Sequence, residues 1–273
     1  MDIGKDIRFG PHTLRIRKQK DGFAGIVVGQ HQLREAAAAP EQVYDLLIKR
    51  CGEQTPGFIG LEGARKRFLE LFPAGFQDPD YIGQVKDYGE RAYKLSASEQ
   101  LRTLLPAEDV ATNPDAGAIA VRVMQATQLL DRYSKAKLGD ILRSDRAGDF
   151  LQIAADFANS DTKAACSALN RHFHADGVDG WVFLTYFPFL WAPDRHMFLK
   201  PDFTRRFAER IGHGFQHDHL PKPNPGTYAS LLHMAQIVHT AVSDLDPQDN
   251  IDIHSFMWAT IEYKDSDVGP PKA

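Results

Sequence analysis

The sequence predicts a mainly α protein, a multi-helix assembly carrying a small N-terminal β-hairpin. Three observations predict it. One stretch near the N-terminus alternates with a period of two, apolar residues after residue 40 recur every three or four positions, and no second alternating set is present to build a large sheet.

Thr13 to Gln19 alternates Leu14 and Ile16 with Arg15 and Arg17, Asp21-Gly22 supplies a turn, and Phe23 to Val28 returns as an apolar run. The pleat sends Arg15 and Arg17 to the face opposite Leu14 and Ile16. With five basic residues, Lys18 among them, and no acid from Arg8 to Lys20, the strand has one wet, positive face.

After Gln30 the period lengthens to helical spacing. Val43, Leu46 and Leu47 mark a short helix, and Leu61, Ala64, Phe68 and Leu71 a second that Pro73 stops. Tyr81, Val85, Tyr88, Ala92 and Leu95 mark a third that continues to Leu105. Ile119, Val123, Ala126, Leu130 and Tyr133 give a fourth stripe, and Phe150, Ile153, Ala154 and Phe157 a fifth. Pro201-Asp202 opens a helix that ends at Gly212, and Asn224-Pro225 opens the clearest stripe, Tyr228 to Leu245. Ile253, Phe256, Met257 and Trp258 read as the buried side of a last helix, with Phe256 and Trp258 in core packing. Pro73 to Pro79 is the expected boundary between a module at 1–75 and a helical domain at 76–263, leaving 264–273 as a disordered tail.

Composition narrows the function classes. In 273 residues, 32 Lys and Arg face 36 Asp and Glu, a net charge of -4 that excludes a generally basic nucleic-acid coat and leaves room for a local basic face. Cys51 and Cys166 stand alone, so no disulfide framework or cysteine zinc site is expected, and a reducing cytoplasm fits. Trp181 to Ala192 is too short to cross a bilayer, which takes about 20 apolar residues. The opening MDIGKDIRFG has no apolar segment of the kind that directs export.

Several clusters bear on chemistry. Arg91 and Lys94 share a helical face on which two cations beside a Tyr would hold a phosphate; Glu90 and Lys94 equally form an exposed i,i+4 ion pair. Arg195, His196 and Lys200 lie between Pro193 and Pro201, ahead of a helix whose free N–H groups favour an anion. The alternative there is that Arg195 pairs with Asp194 or Asp202 while His196 caps the loop. His213, His217 and His219 fall within seven residues, but Gly212 and Gly214 favour a histidine-rich surface loop over a metal site. His172 and His174, two apart on a helix, point away from each other. Asp252 with Glu262 and Lys264 imitates the acids and lysine of PD-(D/E)xK nucleases, which need them on neighbouring strands to hold Mg²⁺. Ile251-Asp252-Ile253-His254 echoes the catalytic Asp segment of helix-hairpin-helix glycosylases without the upstream glycine-rich hairpin. No P-loop, GxGxxG or GxSxG is present.

Pro56 to Ala64 with Arg67-Phe68-Leu69, Glu90-Arg91-Ala92-Tyr93-Lys94, Pro188-Phe189-Leu190 with Asp194 to Pro201, and Ile251 to Trp258 together resemble a set of uncharacterised bacterial proteins. The resemblance spans nearly the whole chain, implies a bacterial cytoplasmic origin and carries no activity. Those proteins have Glu-Arg-Asp-Tyr-Lys in the second segment and Gln where His254 stands, which speaks against His254 as an essential base.

The functional expectation is a non-catalytic accessory protein, without cofactor or metal, that binds nucleic acid or another phosphate-bearing ligand. Its local basic surface would use Arg15, Arg17, Lys18, Arg91, Lys94, Arg195, His196 and Lys200. The alternatives are a metal-dependent nuclease using Asp252, Glu262 and Lys264, and a protein-interaction subunit anchored by Trp191 and Trp258.

Overall fold

The computed structural model describes residues 4–9, 12–54, 57–83, 89–159 and 161–264. Val85, Tyr88 and the tail beyond residue 264 lie outside the described residues. The chain is mainly α with a small antiparallel sheet at its N-terminus. None of its helices is long and apolar enough to cross a membrane.

The expected hairpin is the middle of a larger meander. Strands β1 (Asp6–Phe9), β2 (His12–Gln19), β3 (Gly22–Val27) and β4 (Gln30–Ala37) lie side by side in chain order. The period therefore does not turn helical at Gln30, as the sequence suggested. In β4 only Leu33 is deeply buried among the side chains described, and its alanines and charged residues are weak strand formers, so tertiary pairing with β3 decides its state.

Leu14 and Ile16 are buried as their alternation requires, and Arg17 and Lys18 are exposed. Helix α1 (Pro40–Gly52) lies on the buried face. A side chain at Gly25 would come within 2.8 Å of Val43 and Leu47, so the glycine lets helix and sheet approach closely. Phe9, Leu14, Ile16, Val27, Leu33, Val43, Leu47, Ile48 and Cys51 form a small core of their own.

The larger core is built by α2 (Gly60–Leu71), α3 (Pro79–Ile82), α4 (Ala92–Leu104), α5 (Ala116–Ala126), α6 (Arg132–Leu142), α7 (Ala147–Ala158) and α8 (Thr162–Phe173). It continues through α9 (Trp181–Trp191), α10 (Pro201–Ile211), α11 (Phe215–Asp218), α12 (Pro225–Ala241) and α13 (Asn250–Glu262). Helix α9, WVFLTYFPFLW, is apolar on every side because it is packed on every side, chiefly by α4 and α7.

Two expected helices are each divided. Gly83, at φ +84°, closes α3, and α4 begins only at Ala92. In the fourth stripe α5 stops at Ala126, and Asp131 caps α6 by accepting from the Ser134 N–H at 2.9 Å. Tyr133 is consequently exposed rather than buried. Phe256 is fully buried as expected, but Trp258 is only partly so, because one side of its indole faces a pocket.

Candidate functional site

The start of α4 and the length of α13 face each other across the larger core, and between them lies a chain of buried ionised groups. Asp249 caps α13, accepting from the Ile251 and Asp252 N–H groups. Arg91 docks against that end as a fork, donating to both carboxylate oxygens of Asp249 at 3.0 Å and to Asp252 Oδ1 at 2.6 Å. The buried Asp252 also accepts from the Tyr81 hydroxyl at 2.5 Å and the Gln248 N–H at 2.8 Å. Burial pushes its carboxyl above the usual range, and these donors pull against that.

One turn further on, the Lys94 ammonium donates to Glu90 Oε2 at 2.6 Å and to Ser255 Oγ at 2.7 Å. Tyr263 donates its hydroxyl to the other Glu90 oxygen at 2.5 Å. Burial alone would raise the Glu90 carboxyl; Lys94 and Tyr263 hold it below its ordinary value. Burial also draws Lys94 below its ordinary value, against the pull of Glu90. The Glu90–Lys94 pair expected on an exposed face is thus an interior one, since the Lys94 side chain is 1% exposed beneath α13. Arg91 and Lys94 are committed to carboxylates of their own chain, not offered to solvent.

Beside this cluster opens a cavity of about 160 Å³, with Glu90, Tyr93, Gln128, Phe198, Lys200, His254, Trp258 and Tyr263 in its walls. Lys200 precedes α10 and holds its ammonium 5.0 Å from the centre of the Trp258 indole. His254, on α13 one turn before Trp258, is 3% exposed, and neither ring nitrogen has a hydrogen-bond partner. Its ring is surrounded by Phe189, Phe198 and Phe203 at 5.2 to 5.6 Å between centroids. Burial, reinforced by Lys94 and Lys200, holds this imidazole well below its ordinary titration range and therefore neutral. A neutral imidazole offers one donor and one acceptor, and both are unmet here.

The Arg195, His196 and Lys200 trio is divided among three environments. His196 is buried against Phe157 and Tyr228. Its Nε2 lies 2.9 Å from the Ala158 carbonyl, which can only accept, so Nε2 carries the hydrogen and Nδ1 accepts from the Tyr228 hydroxyl at 3.0 Å. Arg195 is exposed, 3.7 Å from Asp194. Lys200 alone enters the cavity wall. On the sheet, Arg15 pairs with Asp6 at 2.7 Å, while Arg17 and Lys18, consecutive on β2 and so on opposite faces, are each exposed.

The nuclease-like set is not assembled. Asp252 and Glu262 stand ten residues apart on α13, about 15 Å along a helix, and Glu262 pairs with Arg206. No three potential metal ligands converge among the described residues. The histidine-rich segment instead packs on α12. Phe215 N–H donates to His213 Nδ1 at 3.1 Å, so His213 donates from Nε2 to His233 Nδ1, also at 3.1 Å. These two rings lie in a wider cleft of about 800 Å³ between α1, α2, α10 and α12. Both ring nitrogens of His213 are bonded within the chain, and Asp218 accepts from Ser230. The smaller cavity, with a buried histidine left unsatisfied, is the stronger candidate for a ligand.

Lys200 was reachable from sequence as a cation among aromatics. The sequence places neither His254 nor Tyr263 at a ligand site; it reads Trp258 as core or as a docking anchor, and a Tyr only as the neighbour of the Arg91 and Lys94 cations.

Fold and site together define a helical protein with an N-terminal sheet module and a small recessed polar pocket. Compared with known protein families, curated proteins and solved structures, the chain matches none.

Proposed function

We propose that this protein binds a phosphate-bearing ligand whose anionic group enters the cavity between Lys200 and His254. The observation that carries the reading is that a buried, unpartnered His254 stands in the wall of the same cavity as Lys200. Glu90 also lines the cavity, but Lys94 and Tyr263 occupy its two oxygens. Among the described lining residues, that leaves Lys200 as the cation without an opposite charge beside it. An anion placed there gains a charge-assisted hydrogen bond from Lys200 and supplies His254 with the acceptor it lacks. The volume, a few times that of a water molecule at about 30 Å³, suits a phosphoryl group, not a whole nucleotide.

Calorimetric titration with inorganic phosphate at neutral pH tests the reading. The wild-type chain is expected to bind saturably, Lys200→Met to bind about tenfold to a hundredfold more weakly, as befits loss of a hydrogen bond to a charged group. His254→Phe should also weaken binding, while leaving the protein at least as stable because an unsatisfied polar ring is removed from an aromatic nest. Absence of saturable binding, or equal affinity in all three proteins, would overturn it.

A further inference from the structure

A second depression adjoins the cavity. Gln128 lines both, in the short segment between α5 and α6. On its far side lies an open shelf of about 580 Å³, with Gln125, Leu130, Arg132, Lys135, Asp140 and Arg143 in its walls. Three cations there face one carboxylate. Arg132 and Arg143 are exposed. Lys135 donates one hydrogen bond to the Thr127 carbonyl at 2.5 Å, which fixes its stem against the segment that carries Gln128 and leaves two N–H groups.

From this continuity we infer that the ligand is an oligophosphate, with its terminal phosphate in the cavity and the following phosphates crossing Gln128 onto the Arg132, Lys135 and Arg143 shelf. The inference rests on the anion reading of the cavity and adds the class of ligand. A recessed site with one uncompensated cation selects a single anionic group. The adjoining shelf is open and carries three cations against one carboxylate, which suits further charged oxygens. Guanidinium groups at Arg132 and Arg143 match phosphate oxygens two at a time, and the Gln125 and Gln128 amides add neutral donors at the crossing.

The test compares inorganic phosphate, tripolyphosphate and a nucleoside triphosphate on the wild-type chain, on Lys200→Met and on the double variant Arg132→Gln, Arg143→Gln. The substituted shelf residues are exposed, and circular dichroism is used to check that the double variant folds. Tripolyphosphate is expected to bind at least about tenfold tighter than phosphate. The shelf variant should erase that advantage while leaving phosphate affinity within about twofold, and Lys200→Met should weaken both. Equal affinity for tripolyphosphate and the nucleotide assigns recognition to the phosphate chain; tighter nucleotide binding that keeps both sensitivities extends it to the nucleoside. If phosphate fails to bind the wild-type chain, the cavity reading itself falls. If phosphate binds and responds to Lys200→Met, but tripolyphosphate gains nothing or ignores the shelf substitutions, the oligophosphate inference alone is overturned. Tripolyphosphate that responds to the shelf but not to Lys200 overturns the bridging geometry.

Discussion

Replacing Arg91 with alanine is expected to destabilise the protein by about 3–5 kcal/mol, the cost of leaving buried charges without their partner. The Arg91 side chain is 15% exposed, and it pairs with both Asp249 at 15% and Asp252 at 1%. Without it Asp252 keeps only the Tyr81 hydroxyl and the Gln248 N–H, two neutral donors for a buried carboxylate. The same guanidinium fastens the start of α4 to the first turn of α13, so its loss also loosens the two elements that frame the cavity. Urea unfolding measures the effect. Arg91→Lys should recover part of it only, since an ammonium cannot reproduce the fork that reaches both Asp249 oxygens. A loss below about 1 kcal/mol would mean that the cluster is solvated like an ordinary surface pair.

Acidification should have the second large effect. His196, His213 and His254 all titrate below the usual histidine value, in each case chiefly because burial disfavours the imidazolium; for His213 the fall is to about 3. The unfolded chain takes up these protons near pH 6.5, whereas the folded chain takes them up only at lower pH. With more protons bound by the unfolded state, stability must fall as pH drops below about 6.5. Each histidine contributes a slope of up to about 1.4 kcal/mol per pH unit. Glu90, held below its ordinary value, adds to the loss only at lower pH, and Asp252, raised by burial, opposes it there. Between pH 6.5 and 5.5 the histidines therefore dominate. Urea unfolding across that interval should show a steep decline, made shallower by His254→Phe. A flat profile would show that these rings are not held neutral by the fold.

The parts of this structure that the sequence made legible are those decided within a few residues. Alternation at Leu14 and Ile16 identified the central hairpin, and Pro201 with Gly212 bounded α10. β4 escaped because Gln30 to Ala37 has neither a strong apolar alternation nor β-branched residues; its pairing with β3 supplies what its own sequence lacks. The divisions at Gly83 and Asp131 were written locally, in a glycine and a cap, but a continuous apolar stripe ran across both. At the site the limit was distance along the chain. The i,i+4 spacing announced the Glu90–Lys94 pair; that it is interior follows from α13, more than 150 residues later. Lys200 drew notice beside its aromatic neighbours, yet its partner is the Trp258 ring of another helix. An unsatisfied His254 has no signature in sequence, because satisfaction depends on every group that packs around it.

The most direct test of the central claim is the His254 imidazole itself, followed by NMR in protein labelled at its histidine rings and titrated with sulfate, an anion that does not change protonation between pH 5 and 8. Without sulfate the ring should remain neutral across that range. With sulfate bound beside Lys200, its resonances should shift saturably and its titration should move upward, because a neighbouring anion favours the imidazolium. Sulfate that binds the chain while the His254 signals and titration stay unchanged would contradict the account and place the anion site elsewhere.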